Sequence, residues 1–317
     1  MTTLAFVFPG QGSQAVGMLA DLAERFPIVL QTFNQVSERL GYDIWQLVQQ
    51  GPLEKLNQTQ YTQVAMLAAD VAVFRVIQEM SAAFPTYMAG HSLGEYAALV
   101  CAEAISLEDA ATLVAARGRL MQQAMPMGEG AMAAIVGLTE EQVADLCAKA
   151  STDDSQVSPA NYNAIGQVVI AGHTQAVERA IILANEQQAR LATRIPVSVP
   201  CHCSLLQDAA QAFEPFLQEA PFKQPKTAVI SNVDLAVYET PVQIRSLLKE
   251  QLYKPVRWVE TIQKMQMNQV DLIIECGPGK VLSGLIKRID RALSSMCVYD
   301  QQSLEAALPL LKANEYC

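Results

Sequence analysis

The stretch Gly90-His91-Ser92-Leu93-Gly94 decides the fold of this chain. It follows the short apolar run Tyr87-Met88-Ala89 and precedes a helix-like run from Glu95 to Ala102. A serine between two glycines, after a strand and before a helix, is the pattern of a nucleophile elbow. Side chains at the glycine positions of such a turn would clash with neighbouring backbone, and the turn exposes the serine Oγ at a helix N-terminus. We therefore predict a nucleophilic Ser92; the alternative is a structural serine at a helix start.

Composition indicates a compact globular protein. The 317 residues are 51% hydrophobic and 17% charged, which is enough to build one large core or two unequal ones. The net charge of −10 argues against general binding of nucleic acid or attachment to a membrane surface. Seven cysteines without framework spacing favour a reducing compartment, and neither a basic leader nor an apolar run of about 20 residues is visible. We expect a cytoplasmic protein that binds neither nucleic acid nor membrane.

Strand and helix patterns alternate in the first and last thirds of the chain. The run Leu4–Phe8 is continuously apolar, as a buried parallel strand requires, and a glycine-rich loop follows it. Alternation of this kind, together with the elbow, predicts an α/β-hydrolase-like domain with a mostly parallel sheet. Helical patterns cover residues 18–49, 62–80 and 107–123, and further strand patterns cover residues 227–231 and 272–276.

A second rhythm interrupts this alternation after the linker-like residues 126–130. The order of patterns becomes strand, helix, strand, strand, helix, strand, which is the βαββαβ order of a ferredoxin-like unit. The strand patterns cover residues 131–136, 157–163, 167–171 and 189–195, and the helical patterns cover residues 140–150 and 174–188. We therefore predict an inserted ferredoxin-like subdomain at residues 128–197, within a catalytic domain formed by residues 1–127 and 198–317.

A serine needs a base to become a nucleophile, and the chain offers three histidines. His91 lies inside the elbow and His173 lies at a helix start, so His202 is the best candidate for the base. Its neighbours Cys201 and Cys203 do not indicate zinc, because three consecutive ligands cannot converge on one tetrahedral ion. The group that orients the histidine stays open: a carboxylate or a main-chain carbonyl could accept from Nδ1–H.

Three further features each allow two interpretations. The segment Gly10-Gln11-Gly12 completes no phosphate-loop motif, and its alternative role is to bring the Gln11 N–H beside the elbow as part of an oxyanion hole. Arg117 is either a surface residue with its stem on an apolar face or a clamp for a substrate carboxylate. The basic segment Lys280–Arg291 is either a solvated helix face or a docking surface for an acidic partner.

Seven ordered blocks resemble the family of bacterial malonyl-CoA:acyl carrier protein transacylases, and they cover nearly the whole chain. The elbow extended to Tyr96 is one block, and Gly277-Pro278-Gly279 is the last. The others are Phe8–Gln14, Ala116-Arg117-Gly118, Gly166–Gly172, Pro200-Cys201-His202 and Gln251–Trp258.

This resemblance implies transfer of a malonyl group from coenzyme A to the phosphopantetheine thiol of acyl carrier protein in fatty acid biosynthesis. Ser92 would carry the malonyl ester, His202 would be the base, and the main-chain carbonyl of Gln251 would orient the imidazole. The remaining implied roles are an oxyanion hole from the N–H groups of Gln11 and Leu93, and substrate contacts from Arg117, Asn163 and Gln167. No cofactor or metal of the enzyme's own is implied.

Three alternatives remain at this point. A serine esterase or thioesterase would share the elbow, a polyketide acyltransferase would share the chemistry with another carrier, and a docking module would share only the fold. Two cysteines beside the histidine also raise the hypothesis of an oxidation-sensitive site, since the resembling family has small or hydroxyl residues there.

Overall fold

The structure is a computed structural model that describes residues 3–126, 128–197 and 199–315. Met127 and Ser198, where the predicted domain boundaries fall, lie outside the described residues. The described strands are β1 (Thr3–Phe8), β2 (Tyr87–Gly90), β3 (Gly130–Val136), β4 (Val157–Ala164), β5 (Gln167–His173), β6 (Leu191–Arg194), β7 (Ala228–Ile230), β8 (Val270–Cys276) and β9 (Ser294–Val298).

The helices begin and end as follows, and a short 3₁₀ turn lies at Ser204–Leu206. They are α1 (Ala20–Arg25), α2 (Pro27–Leu40), α3 (Ile44–Gln50), α4 (Leu53–Leu56), α5 (Thr59–Met80), α6 (Gly94–Cys101), α7 (Leu107–Gln123), α8 (Glu140–Ala150), α9 (Thr174–Glu186), α10 (Gln207–Glu219), α11 (Pro241–Gln251), α12 (Trp258–Met267), α13 (Val281–Ile289) and α14 (Gln301–Ala313). Within the described ranges, no helix is both long and apolar enough to cross a membrane.

The larger sheet is parallel throughout and has the order β7-β2-β1-β8-β9. Its central strand β1 is buried from Leu4 to Phe8, which agrees with the continuous apolar run in the sequence. Two separate apolar cores lie on the two faces of this sheet, so both faces are covered by helices. The predicted α/β-hydrolase-like class is therefore confirmed, with strand β9 as an addition that the strand patterns in the sequence did not include.

The smaller sheet is antiparallel and has the order β4-β5-β3-β6. It arises from the chain order β3-α8-β4-β5-α9-β6, and α8 and α9 form a separate apolar core with it. The predicted ferredoxin-like arrangement is thus present. Two backbone hydrogen bonds join this unit to the larger domain, from Tyr162 N–H to Val256 O (2.9 Å) and from Val256 N–H to Ala160 O (2.9 Å).

The helical patterns predicted at residues 18–49 correspond to three separate helices, α1, α2 and α3. Pro27 occupies the first turn of α2, where its missing N–H costs nothing. Gly41 ends α2 with a φ of 76°, a left-handed conformation that glycine adopts without strain. Apolar periodicity continued across both breaks and therefore concealed them.

The two glycines of the elbow leave no room for a side chain. A Cβ on Gly90 would lie 1.8 Å from the carbonyl carbon of Gly94, and one on Gly94 would lie 2.0 Å from Phe8 O. Both obstacles are backbone atoms, which cannot rotate away. This contact presses the start of α6 against the end of β1, so the serine turn and the loop after β1 lie side by side.

We expect Gly94→Ala to destabilise the protein by about 3 kcal/mol or more, because the new methyl must displace the end of β1. Gly284→Ala is the matched control: it lies within α13, and a Cβ there meets nothing within 4 Å. That variant should be unchanged or more stable by up to about 1 kcal/mol. Denaturant unfolding of both variants tests the difference, and equal stabilities would contradict the close contact.

Candidate active site

The elbow holds Ser92 in a strained backbone conformation. Its φ is 52°, in the left-handed region that residues other than glycine rarely adopt. Asn232, fully buried after β7, supports this turn with both ends of its amide. Its Oδ1 accepts from Ser92 N–H at 2.8 Å, and its Nδ2 donates to Gly90 O at 2.7 Å. Sequence reasoning missed Asn232, because an asparagine 140 residues from the serine belongs to no recognisable motif.

The structure brings His202 to Ser92 although 110 residues separate them. The His202 Nε2 lies 2.7 Å from Ser92 Oγ, and Nδ1 lies 2.7 Å from the main-chain oxygen of Gln251. A third contact runs from His202 N–H to Leu252 O at 3.0 Å. The histidine is therefore fixed at three points, with Nδ1–H donating to Gln251 O and Nε2 free to accept the serine proton.

The end of α11 supplies the acceptor that the sequence alone left open. Gln251 is the last residue of this helix, and carbonyls of a last helical turn have no intrahelical donor. The same helix end carries a partial negative charge, equivalent to roughly half an elementary charge. A main-chain oxygen thus orients the imidazole and favours its protonated form during proton transfer, without a carboxylate.

His202 is 3% exposed, and burial lowers its pKa to about 3, helped by the positive charge of Arg117. The hydrogen bond to the Gln251 carbonyl acts in the opposite direction. Because this pKa lies well below neutrality, the imidazole is neutral at pH 7 and able to accept a proton. The arrangement is therefore that of a general base beside a hydroxyl.

Two backbone N–H groups beside Ser92 are available to a negatively charged oxygen. Gln11 and Leu93 both line the cleft at Ser92, and among the described residues neither N–H has a hydrogen-bond acceptor. The N–H of Ser92 itself is occupied by Asn232. The close packing of Gly94 on Phe8 brings the loop of Gln11 to the start of α6. These N–H groups can form an oxyanion hole.

Arg117 is not a surface residue, so that alternative from the sequence is wrong. It is 1% exposed, and its guanidinium lies 5.5 Å from the ring centre of Tyr96. Its Nη2 donates to Ser92 Oγ at 3.1 Å and to Gln251 Oε1 at 2.8 Å. A buried guanidinium at a nucleophile, without a directly paired carboxylate in the described residues, is suited to binding an anionic group.

A buried carboxylate lies behind the site. Glu95, the residue after the elbow, is fully buried, and its oxygens accept from Tyr238 OH at 2.5 Å and from Gln251 Nε2 at 2.6 Å. The Asn232 N–H donates to both oxygens at 3.3 and 3.4 Å. Burial raises the pKa of Glu95 to about 7, although these donors and the charge of Arg117 lower it. Sequence reasoning read this glutamate only as part of the helix.

The cleft at Ser92 has a volume of about 90 Å³, and Asn163 and Gln167 lie outside its lining. Asn163 Oδ1 is 2.8 Å from His91 Nε2, and Gln167 accepts from Arg288. Their role as substrate contacts stays a prediction, restricted to the outer part of a substrate. Asn161, two residues before Asn163 on β4, does line the cleft, as do Gln11 and Gln63.

The two cysteines beside His202 point to different cavities. Cys201 lines the cleft at Ser92, whereas Cys203 lines a separate cavity of about 310 Å³ next to the inserted sheet. Burial raises the pKa of Cys201 to about 11 and that of Cys203 to about 12. Both are therefore thiols at neutral pH, and their burial disfavours the oxidation hypothesis, because the reactive form is the thiolate.

We expect iodoacetamide at pH 8 to leave Cys201 and Cys203 unmodified in the folded protein and to modify both after denaturation. The half-buried Cys297 serves as the internal comparison, since it should react faster. Peptide mass spectrometry measures the three thiols in one sample. Rapid alkylation of Cys201 with loss of activity would instead support a redox-sensitive site.

Comparison with known proteins agrees with this geometry. The acyl transferase domain family matches residues 5–314. The malonyl CoA-acyl carrier protein transacylase of Haemophilus influenzae is 51% identical over 307 residues, which are 96% of this chain and 98% of that protein. The corresponding Bacillus subtilis protein is 41% identical over 98% of both chains.

Solved structures show the same similarity. The Coxiella burnetii malonyl CoA-acyl carrier protein transacylase superposes with a TM-score of 0.96 at 48% identity, over 98% of each chain. A malonyl-transacylase solved in complex with a type II polyketide acyl carrier protein superposes with a TM-score of 0.95 at 49% identity, over 98% of this chain and 100% of that one. This chain belongs to the acyl transferase domain family and, within it, to the malonyl CoA-acyl carrier protein transacylases.

Proposed function

We propose that this chain transfers the malonyl group of malonyl-CoA to the phosphopantetheine thiol of acyl carrier protein through an ester on Ser92. The observation that carries this function is the convergence of a base and a buried cation on one hydroxyl. Ser92 Oγ lies 2.7 Å from His202 Nε2 and 3.1 Å from Arg117 Nη2. A serine with a base on one side and a guanidinium on the other is suited to an acyl group that carries a free carboxylate.

In the first half-reaction, Ser92 Oγ attacks the thioester carbonyl carbon while His202 Nε2 takes the hydroxyl proton. The carbonyl oxygen becomes negative and accepts from the N–H groups of Gln11 and Leu93. The carbon–sulfur bond then breaks, and His202 returns its proton to the departing sulfur of coenzyme A. Malonyl-O-serine and the free thiol remain.

The second half-reaction reverses these steps with a new thiol. The phosphopantetheine sulfur gives its proton to His202 and attacks the ester carbonyl carbon. The carbon–oxygen bond to Ser92 breaks, and His202 protonates the serine oxygen. No electron transfer and no resident cofactor enter either half, so the side chains of this chain supply all of the acid–base chemistry.

Transfer, rather than hydrolysis, requires that water be poorly placed to attack the ester. Beside Ser92 the cleft is lined by the apolar side chains of Met121, Met132, Ile195 and Val197. These four side chains offer no group that could hold and orient a water molecule, whereas polar side chains such as Gln63 and Asn161 line other parts of the cleft. An esterase would also gain nothing from a buried Arg117, whose charge is left unpaired by an acyl chain without a carboxylate.

We place this reaction in the cytoplasm, at the supply of malonyl groups for fatty acid elongation. The six described cysteines are all free, which agrees with a reducing compartment.

Mass spectrometry after exposure to malonyl-CoA tests the proposal. The peptide containing Ser92 should gain a malonyl group, and Ser92→Ala should remove the adduct. Arg117→Ala should reduce the rate of malonyl loading by about 100-fold or more, because a buried ion pair is lost, and should not slow loading from acetyl-CoA. Release of free malonate without a stable adduct would favour the esterase, and equal losses with both substrates would contradict the role of Arg117.

A basic surface next to the elbow suits the acidic carrier protein. Helix α13 exposes Lys287 and Arg288, and Lys280 and Arg291 flank it. Arg288 contacts Gln167 in the β4–β5 hairpin, and Asn163 of that hairpin bonds His91 in the elbow. We therefore propose α13 as part of the docking surface for the carrier.

Charge reversal by Lys287→Glu with Arg288→Glu should raise the KM for carrier protein about tenfold or more and leave the coenzyme A half-reaction unchanged. The matched control is Lys149→Glu, an exposed lysine on α8. Steady-state kinetics with carrier and single-turnover loading from malonyl-CoA separate the two halves. Equal effects on both halves would contradict a docking role.

A further inference from the structure

The side chain of Gln251 joins the charged groups of the site. Its Oε1 accepts from Arg117 Nη2 at 2.8 Å, and its Nε2 donates to Glu95 at 2.6 Å and to Ser92 O at 3.0 Å. Its main-chain oxygen meanwhile holds His202. One fully buried residue therefore contacts the nucleophile, the base and the cation of the proposed mechanism.

The orientation of this amide has one solution as long as Glu95 is ionised. A guanidinium can only donate, so the end facing Arg117 must be the oxygen. A carboxylate can only accept, so the end facing Glu95 must be the NH₂ group. Reversing the amide would place two donors together at Arg117 and two acceptors together at Glu95.

We infer that Glu95 is a positioning residue for acyl transfer, whose buried carboxylate fixes the Gln251 amide and through it the alignment of Arg117 and His202. This inference rests on the proposed function and concerns the same site. Glu95 reaches neither substrate nor the reacting atoms; its contacts are Tyr238, Gln251 and the Asn232 N–H. Its effect is therefore transmitted through Gln251.

Protonation of Glu95 removes this control. The ionised carboxylate accepts from three donors, whereas a proton on the oxygen that faces Gln251 places an O–H against the Nε2 donor. The Gln251 Nε2 donor then loses this acceptor in a buried position, and the amide is free to turn. The charged and titratable groups around Glu95 are Arg117 on α7, Tyr238 after β7 and Tyr96 on α6.

The loss of rate on the acidic side of the pH profile, called the acid limb below, is therefore caused by protonation of Glu95 and not by protonation of the base His202. Burial raises the pKa of Glu95 to about 7, and burial lowers that of His202 to about 3. A carboxylate with this pKa is ionised above pH 7 and protonated below it. The rate of malonyl loading should accordingly fall as pH decreases through about 7.

The test is the pH dependence of single-turnover malonyl loading on Ser92, from pH 5.5 to 9, for the wild type, Glu95→Gln and Tyr238→Phe. Glu95→Gln should be slower than wild type at pH 8.5 by roughly ten- to a hundredfold, with a flat profile and a KM within about threefold. Tyr238→Phe removes one donor to the same carboxylate but leaves Gln251 in place. It should match the wild type at pH 9 and shift the acid limb to higher pH.

The following outcomes would contradict the role of Glu95 as a positioning residue. If Glu95→Gln keeps the wild-type rate of malonyl loading, or keeps the fall in that rate near pH 7, the inference is wrong. If both variants lose rate at pH 9 in proportion to their loss in thermal unfolding temperature, Glu95 is only structural and the inference is equally wrong. Should Glu95→Gln not fold, the limb shift in Tyr238→Phe still decides. A wild type that forms no malonyl adduct would refute the proposed function instead, which is a separate observation.

Discussion

The close packing of Gly90 on Gly94, and of Gly94 on the end of β1, is the constraint on which the site depends. A Cβ at Gly90 or Gly94 would lie 2.0 Å or less from backbone carbonyl atoms, so the turn can close only without side chains there. The closed turn holds Ser92 in the left-handed region and brings the Gln11 loop beside Leu93. Nucleophile and oxyanion donors are thus products of one steric fit between neighbouring parallel strands.

The site buries two opposite charges without pairing them directly. Within the described residues Arg117 and Glu95 make no ion pair, and the Gln251 amide lies between them. A direct pair would satisfy the guanidinium and compete with a substrate carboxylate. A buried guanidinium without any compensating partner would be costly. The Gln251 amide lowers this cost by accepting a hydrogen bond, and it leaves the positive charge of Arg117 available to the substrate.

Local sequence patterns were sufficient to predict most of the fold and the nucleophile Ser92. The elbow of Ser92 and the βαββαβ order are short-range signals of sterics and periodicity, and they can be read without the fold. Asn232 and Glu95 could not be found in this way, because their meaning arises from contacts across more than 130 residues. Gln251 was reached only through resemblance, since a main-chain acceptor leaves no side-chain signature. Strand β9 was missed because this edge strand has only a short apolar run, Met296-Cys297-Val298, after two serines.

The use of a helix-end carbonyl in place of an aspartate follows from the nearness of Arg117. A full carboxylate at the Nδ1 side of His202 would lie close to the guanidinium and attract it away from a substrate anion. The carbonyl of Gln251 offers a hydrogen bond and only the partial charge of a helix terminus. It therefore orients the imidazole while leaving the cation to the acyl group. A site that must recognise a carboxylate beside its nucleophile is better served by a neutral orienting group than by a charged one.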